Sequence, residues 1–512
     1  LPVSDKWIFR IGIWLRWVSV QLPGRVISNF SSKVSRELKR HGVRGFLRRT
    51  FFYLRHFHKY AQTLTQVPLV VDKAMFKAAT PVRRNIRLHP ELSGVGAPVD
   101  VCLSIIIPTL NAGEEFRLLL RKLFEQKGLA ELEVVVVDSG STDETVERAR
   151  EAGCRVLEIP PAEFSHSFSR NAGAAAARGD CLLFMVQDAY PIGDYWAYAM
   201  VCYLQEHSKT RVAAVSCAEF SRSDSDLFYD FMVAIHYRFL GCFEDDRIGE
   251  YRGPSRLALH SSGQLSDVAC LISSALFDEY RYRGDYAEDL DLGIRLIKDG
   301  YRVAMLASVK VVHSHNRVAY YYLKRCFVDV IFQARMFDDF PYVSVTSFSG
   351  LVAGVVSVAG HLTAWWQGSD DFFHKSRAVD YINHLILHWR SSLAVLDSNS
   401  ELMLGDENLD AYLRRLRARY LSERALDRAE RDEAQRFIDD FLARLEHFSA
   451  FINSVYLEQD DFLHHRLRSA IIKIFAASAG SALAFMYIDR VEESDGDYEV
   501  AATIKDELMV GI

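Results

Sequence analysis

The sequence predicts an α/β protein: a mainly parallel central sheet, preceded by a basic helical extension and followed by a mostly helical region. Three observations carry this expectation. Between Val101 and Val186, short apolar runs alternate with helical spacing, the pattern of parallel strands buried on both faces. Before residue 95, apolar residues recur at helical intervals among many Lys and Arg. After about residue 326, strand signals fade and helical ones dominate. A chain of 512 residues exceeds one ordinary core, and we place domains at 1–95, 96–325 and 326–512.

The first segment is strongly basic. Residues 1–60 carry thirteen Lys or Arg against Asp5 and Glu37, a balance of +11, so the remainder carries −17 of the net −6. Leu47, Phe51 and Leu54 fall at i, i+4, i+7, widened by Phe46, Tyr53 and Phe57, while Arg44, Arg48, Arg55 and Lys59 gather elsewhere on the wheel. Such a helix either lies at an anionic lipid interface or packs its apolar arc on the body of the protein. Arg10 and Arg16 interrupt the apolar stretch Trp7–Val20, which argues against a secretory signal. Pro90 to Pro98, with Gly94 and Gly96, reads as a linker.

The alternating region follows. Val101–Ile107 is the first strand and Glu114–Glu125 a helix; Leu132–Val137 is the second strand. Ser141-Thr142-Asp143-Glu144 has capping-box spacing and opens a helix to Ala152. Arg155–Ile159, a helix over Ser167–Ala177, and Cys181–Val186 complete the pattern. In such sheets ligands sit beyond the carboxyl ends of the strands. Of the C-terminal region, Asp406–Phe448 is strongly helical. Gly350–Trp366 and Ile474–Ile488 approach membrane-span length but fall short of it, and read as buried core helices, with a re-entrant or interfacial segment as the rival reading. The eight cysteines, scattered between Cys102 and Cys326 without a CxxC pair, suit a reducing compartment better than a disulfide frame or a zinc site.

Two places hold chemistry. Strand ends give Pro108-Thr109-Leu110-Asn111 and Asp138-Ser139-Gly140-Ser141, whose short polar side chains and amides suit a base, ribose or phosphate; Asn111 and Asp138 equally suit turn capping. No GxGxxG or GxxxxGK[ST] occurs at these turns, which argues against dinucleotide binding and P-loop hydrolysis. Farther on, Glu288-Asp289-Leu290-Asp291 precedes a helical run from Leu292 to Asp299, a turn at Gly300 and a β-rich run into His313-Ser314-His315-Asn316. A carboxylate can accept a hydroxyl proton and an imidazole can hold a metal. The bland reading is that three acids merely favour a helix start.

The order Ser104-Ile-Ile-Ile-Pro-Thr-Leu-Asn111, Val137-Asp-Ser-Gly-Ser-Thr-Asp143, Ser169-Arg-Asn-Ala-Gly173, Arg178-Gly-Asp180 and Gln187-Asp188 resembles family 2 glycosyltransferases of the GT-A fold. Ala287-Glu-Asp-Leu-Asp291, Arg295 and His313-Ser-His-Asn316 continue the resemblance, which spans roughly Val101 to Arg325. The Gln-Asp-Ala and His-Ser-His-Asn variants are more narrowly similar to rhamnosyltransferase-like enzymes of bacterial O-antigen and capsule assembly.

The resemblance implies an inverting, metal-dependent transfer of a sugar, rhamnose among the candidates, from a nucleotide-diphosphate sugar to a glycan or lipid-linked glycan. It implies Asp138 at the pyrimidine, Thr109 and Asn111 in the nucleotide pocket with Pro108, Ser139 and Gln187 around it, and Arg170 at the diphosphate or base. The family's Asp-x-Asp stands here as Val186-Gln187-Asp188, so Asp188 would hold Mn²⁺ or Mg²⁺ with His313 or His315. Two histidines at i, i+2 on a strand would share a face. Asp289 is the expected general base, with Glu288 and Asp291 as competitors, while Asp267, Arg281, Tyr282 and Arg283 are candidates for sugar contacts.

The expected setting is the cytoplasmic face of a bacterial inner membrane, with other polysaccharide-assembly enzymes as candidate partners and no nucleic acid. A non-catalytic scaffold of the same fold is the competing reading, motivated by Val186 in place of the first aspartate.

Overall fold

The computed structural model describes residues 98–222, 225–242, 245–341, 343–368, 377–392, 401–421, 425–455, 461–492 and 498–509. The basic extension expected over 1–95 lies outside the described residues. Those described fall in one compact unit, Gln66–Ile512.

Nine strands form a single sheet: β1 (Val99–Thr109), β2 (Leu129–Asp138), β3 (Arg155–Glu158), β4 (Cys181–Met185), β5 (Tyr190–Pro191), β6 (Val212–Phe220), β7 (Arg247–Gly249), β8 (Ala269–Ser273) and β9 (Arg302–Val312). Their order is β3-β2-β1-β4-β8-β6-β9-β5, with β7 also on β9. β1, β2, β3, β4, β6 and β9 run one way, and β5, β7 and β8 the other. The sheet is therefore mixed but mainly parallel, as expected.

Helices α1 (Phe116–Phe124), α2 (Thr145–Glu151), α3 (His166–Ala176) and α4 (Trp196–Glu206) connect or flank the first strands. Strand alternation explains the two cores. Leu103, Ile105 and Ile107 of β1 pack with Phe116, Leu119 and Leu123 of α1, while Ile106 faces the other way with Val135 and Val137. Gly173 lets α3 approach that second face: a Cβ there would sit 2.4 Å from Ile106 Cγ2. The expected capping box is not formed. Ser141 gives its hydroxyl to Asp138, and the Asp143 carboxylate instead accepts from the Thr145 amide at 3.0 Å, so α2 starts later.

Four further helices belong to the sheet region: α5 (Leu227–Leu240), α6 (Arg256–Gly263), α7 (Ser274–Tyr280) and α8 (Glu288–Lys298). A helical layer follows, with α9 (Ala319–Met336), α10 (Phe348–Gly368), α11 (Ala378–Ser392), α12 (Glu407–Tyr420), α13 (Arg428–Val455), α14 (Asp461–Glu492) and α15 (Tyr498–Met509). Two helical stretches, Phe348–Gly368 and Arg466–Asp489, are long and apolar enough to cross a membrane, yet 72% of each span-length window is buried inside the protein, as in core helices. At the α9–α14 crossing, a Cβ on Gly480 would lie 2.0 Å from the Leu323 carbonyl oxygen. All eight cysteines are free thiols.

Candidate active site

The site is assembled at the carboxyl edge of the parallel strands. The parallel register Ile106↔Phe184 brings the ends of β1 and β4 level, and the antiparallel pair Met185↔Ala269 puts Asp267 at the edge where Gln187 and Asp188 leave the sheet. The β6–β9 pair Phe220↔Val312 delivers the chain to His313.

Two loops line one part of this edge. The Asp138 carboxylate, 2% exposed, accepts from Thr109 Oγ1 (3.0 Å), the amides of Gly140 (3.0 Å) and Ser141 (2.8 Å), and Ser141 Oγ (2.5 Å). Those four bonds match what one carboxylate can accept. Asn111, in left-handed backbone (φ 47°), accepts through Oδ1 from the Thr142 amide at 2.8 Å. Ser139 binds the Thr109 carbonyl through both its amide and its hydroxyl, at 3.0 Å each. Pro108 stands in the last turn of strand before Thr109, paired with Val137. Gln187 bonds both backbone groups of Leu110, at 2.9 and 3.2 Å, and so ties the end of β4 to that of β1. Asp138 and Asn111 thus cap the loops, the role their types also allowed, and Gln187 braces them.

A second part holds Asp188, His313 and His315, whose ligand-type atoms all lie within 4.8 Å of one another. Asp188 Oδ1 is 3.5 Å from His313 Nε2 and its Oδ2 is 3.7 Å from His315 Nδ1. The histidines are not on a strand as expected; β9 ends at Val312, and both follow it, their rings 4.6 Å apart. Burial pushes the Asp188 carboxyl up, but the close approach and charge of His313 with the charge of His315 outweigh it and hold it at about 2. Burial works against a charged His313, yet Glu219 and Asp188 outweigh it and raise the imidazole to about 10. His315 is pushed down to about 4, first by burial and then by His313.

Does this cluster fit a divalent cation? His313 Nε2 is buried, has no hydrogen-bond partner and is turned toward Asp188, while His313 Nδ1 is engaged by Glu219. An imidazole with one nitrogen tied and the other aimed at a carboxylate is a ligand's arrangement. Asp188 and His315 remain part-exposed, leaving a way in. The residues fit.

The acidic cluster opens α8, after Ala287 in left-handed backbone (φ 53°). Its three acids are not equivalent. Glu288 binds Arg170 Nη1 at 2.5 Å, and Asp291 binds Arg295 Nε at 2.8 Å. Asp289 accepts only from the Leu290 amide, at 2.7 Å, leaving its second oxygen without a partner among the described residues. Burial, then the charges of Asp267 and Glu288, push its carboxyl up to about 8. Of the three, Asp289 alone can take up a new proton without breaking an ion pair.

Arg170, expected at the diphosphate or base, packs beneath α8. It is 3% exposed, ion-paired to Glu288 and lying 3.2 Å from Asp267, and its charge is occupied beneath α8. Burial opposes its charge, but Asp267 and Glu288 outweigh it and hold the guanidinium protonated. Glu288, a rival for the base, is likewise occupied. Tyr282 donates to Asp267 at 2.5 Å in the same buried network; Arg281 and Arg283 are exposed. Glu219 and Tyr229 were missed in the sequence. The available signal was an acid closing the apolar run Val212–Ala218, the place where site residues leave a sheet.

Residues 104–250 match the family model described as glycosyl transferase family 2. Over 237 residues the chain is 27% identical to the O-antigen chain rhamnosyltransferase RfbN of Salmonella typhimurium, covering 45% of this chain and 72% of the relative. It is 37% identical over 94 residues to the uncharacterized glycosyltransferase YibD of Escherichia coli, 17% of this chain and 27% of that one. The mannosyltransferase PcManGT from Pyrobaculum calidifontis, solved in complex with GDP-Man and Mn²⁺, superposes with a TM-score of 0.36 at 19% identity, over 48% of this chain and 68% of its own. The motifs from Ser104 to Asp188 fall within the matched segment, and residues 104–250 form a glycosyl transferase family 2 domain.

Proposed function

We propose that this glycosyltransferase moves a sugar, with inversion, from a nucleotide-diphosphate sugar to a hydroxyl of a growing bacterial surface glycan or lipid-linked glycan. The observation that carries the reading is the pairing, on one sheet edge, of the Asp188–His313–His315 cluster with an Asp289 carboxyl raised into the range of a working base. In the transfer, the acceptor oxygen bonds to the anomeric carbon as the bond from that carbon to the diphosphate breaks. The hydroxyl proton passes to Asp289, and the nucleoside diphosphate leaves.

Asp188, His313 and His315 would hold Mn²⁺ or Mg²⁺, with imidazole donors favouring Mn²⁺. When bound, the cation would neutralise charge on the departing diphosphate. Pro108, Thr109, Asn111, Asp138 and Ser139 form the wall we assign to the nucleotide. A pyrimidine seated on Asp138 would take the place of the Ser141 hydroxyl. Gln187 positions that wall, and Arg170 positions the base-bearing helix. The 27% identity to an O-antigen chain rhamnosyltransferase supports rhamnose as donor sugar, O-antigen or capsule as product, and the cytoplasmic face of the inner membrane as the place. Residues 1–60 would supply contact with anionic lipid, alongside a catalytic domain at 96–325, a helical domain at 326–512 and other assembly enzymes.

The test is release of nucleotide from a panel of nucleotide sugars with Mn²⁺ or Mg²⁺, with and without lipid-linked acceptor. Asp188→Ala and Asp289→Asn should each abolish transfer in a folded protein. Full activity of Asp289→Asn would remove it as base; metal-independent transfer by the unaltered protein would remove the cation.

A further inference from the structure

Glu219 closes β6 one residue before its end, across from Val311, and meets His313 over a separation of 94 residues. Its Oε2 lies 2.5 Å from His313 Nδ1 and accepts from the Tyr229 hydroxyl at 3.1 Å, while that hydroxyl is also 2.9 Å from the same imidazole nitrogen. Tyr229 stands edge-on to both rings, 6.1 Å from His313 and 5.7 Å from His315. It is itself fixed. Asp226 caps α5 by accepting from the Tyr229 amide at 2.8 Å, receives Lys473 at 2.9 Å, and donates its own amide to Asn316 at 3.0 Å.

A merely structural buried histidine would have both nitrogens satisfied. Here one nitrogen is held by a carboxylate, and the other, buried and without a well-aligned hydrogen bond, lies 3.5 Å from the part-exposed Asp188 carboxylate. We propose that Glu219, steadied by Tyr229, is the positioning residue of the cation site: it keeps the His313 proton on Nδ1 and the ring turned so that Nε2 is the ligand. A ligating imidazole is oriented through its other nitrogen, and a carboxylate partner also makes it a stronger donor. This inference rests on the reading of Asp188, His313 and His315 as a cation site.

The experiment is pulsed EPR of Mn²⁺ bound to the full chain, counting coordinated nitrogens, with circular dichroism as a check on folding. The unaltered protein should show two coordinated imidazole nitrogens. Glu219→Ala combined with Tyr229→Phe should show one. Glu219→Gln, which keeps an acceptor for the Nδ1 proton, should restore two. If the double variant does not fold, Tyr229→Phe alone decides by a nitrogen coupling altered from that of the unaltered protein. Two nitrogens with unchanged couplings in the altered proteins would overturn the proposal while the cation site stands. Asp188→Ala binding Mn²⁺ as the unaltered protein does would instead remove the cation site and this inference with it.

Discussion

Arg170 Nη1 and Glu288 Oε1 meet at 2.5 Å across 118 residues of sequence, both buried, joining α3 to the first residue of α8. The same guanidinium faces Asp267, so one cation holds two carboxylates at the sheet edge. Removing it strands two buried acids, a loss of about 3–5 kcal/mol by analogy with other broken buried pairs. Arg170→Met should therefore lower unfolding free energy by about that amount in urea titration.

The pH profile should report Asp289. A base acts only when deprotonated, and burial with the charges of Asp267 and Glu288 holds this carboxyl at about 8. The rate should therefore rise with pH through about 8 and level above it. Asp267→Asn keeps an acceptor for Tyr282 but removes a negative neighbour, which lowers the Asp289 value. In kcat/KM measured from pH 6 to 9.5, the rising limb of that variant should move toward lower pH.

Cation binding should release a single proton near pH 7.5. His313, raised to about 10, carries an extra proton that Nε2 must lose to become a ligand. His315, at about 4, and Asp188, at about 2, are already in their ligand forms. Calorimetric titration of Mn²⁺ in buffers of different ionisation enthalpy should give about one proton per ion, with affinity rising as the pH is raised.

Gly480→Ala tests the helical layer. Its new methyl would fall 2.0 Å from the Leu323 carbonyl oxygen, a backbone atom that cannot turn aside. The expected loss is about 1–3 kcal/mol, the usual cost of overpacking, read as a lower urea midpoint with little change in slope.

The parts of the sheet most legible in the sequence were those formed by continuous apolar runs, such as Ile105–Ile107 and Val134–Val137. β8 was not legible, because its place between β4 and β6 depends on antiparallel partners far along the chain. The acidic cluster and the histidine pair were visible as residue types at a spacing. What distinguished Asp289 from Glu288 and Asp291 was not local: Arg170 lies 118 residues from Glu288, and only folding shows which acid it takes. Glu219 was hidden for the same reason, since an acid ending a strand has no partner until β6 and β9 lie side by side.

Lys473 of α14 reaches Asp226 at the head of α5, whose amide in turn binds Asn316, just past the two histidines. Trimming the protein to its matched segment, 104–250, would discard Asp289 and both imidazoles. Stopping at residue 325 would keep them but strip the lysine from its anchor and bare Leu323 to solvent. The smallest fragment worth expressing for catalysis thus reaches into the late helices, well past where the family signature ends.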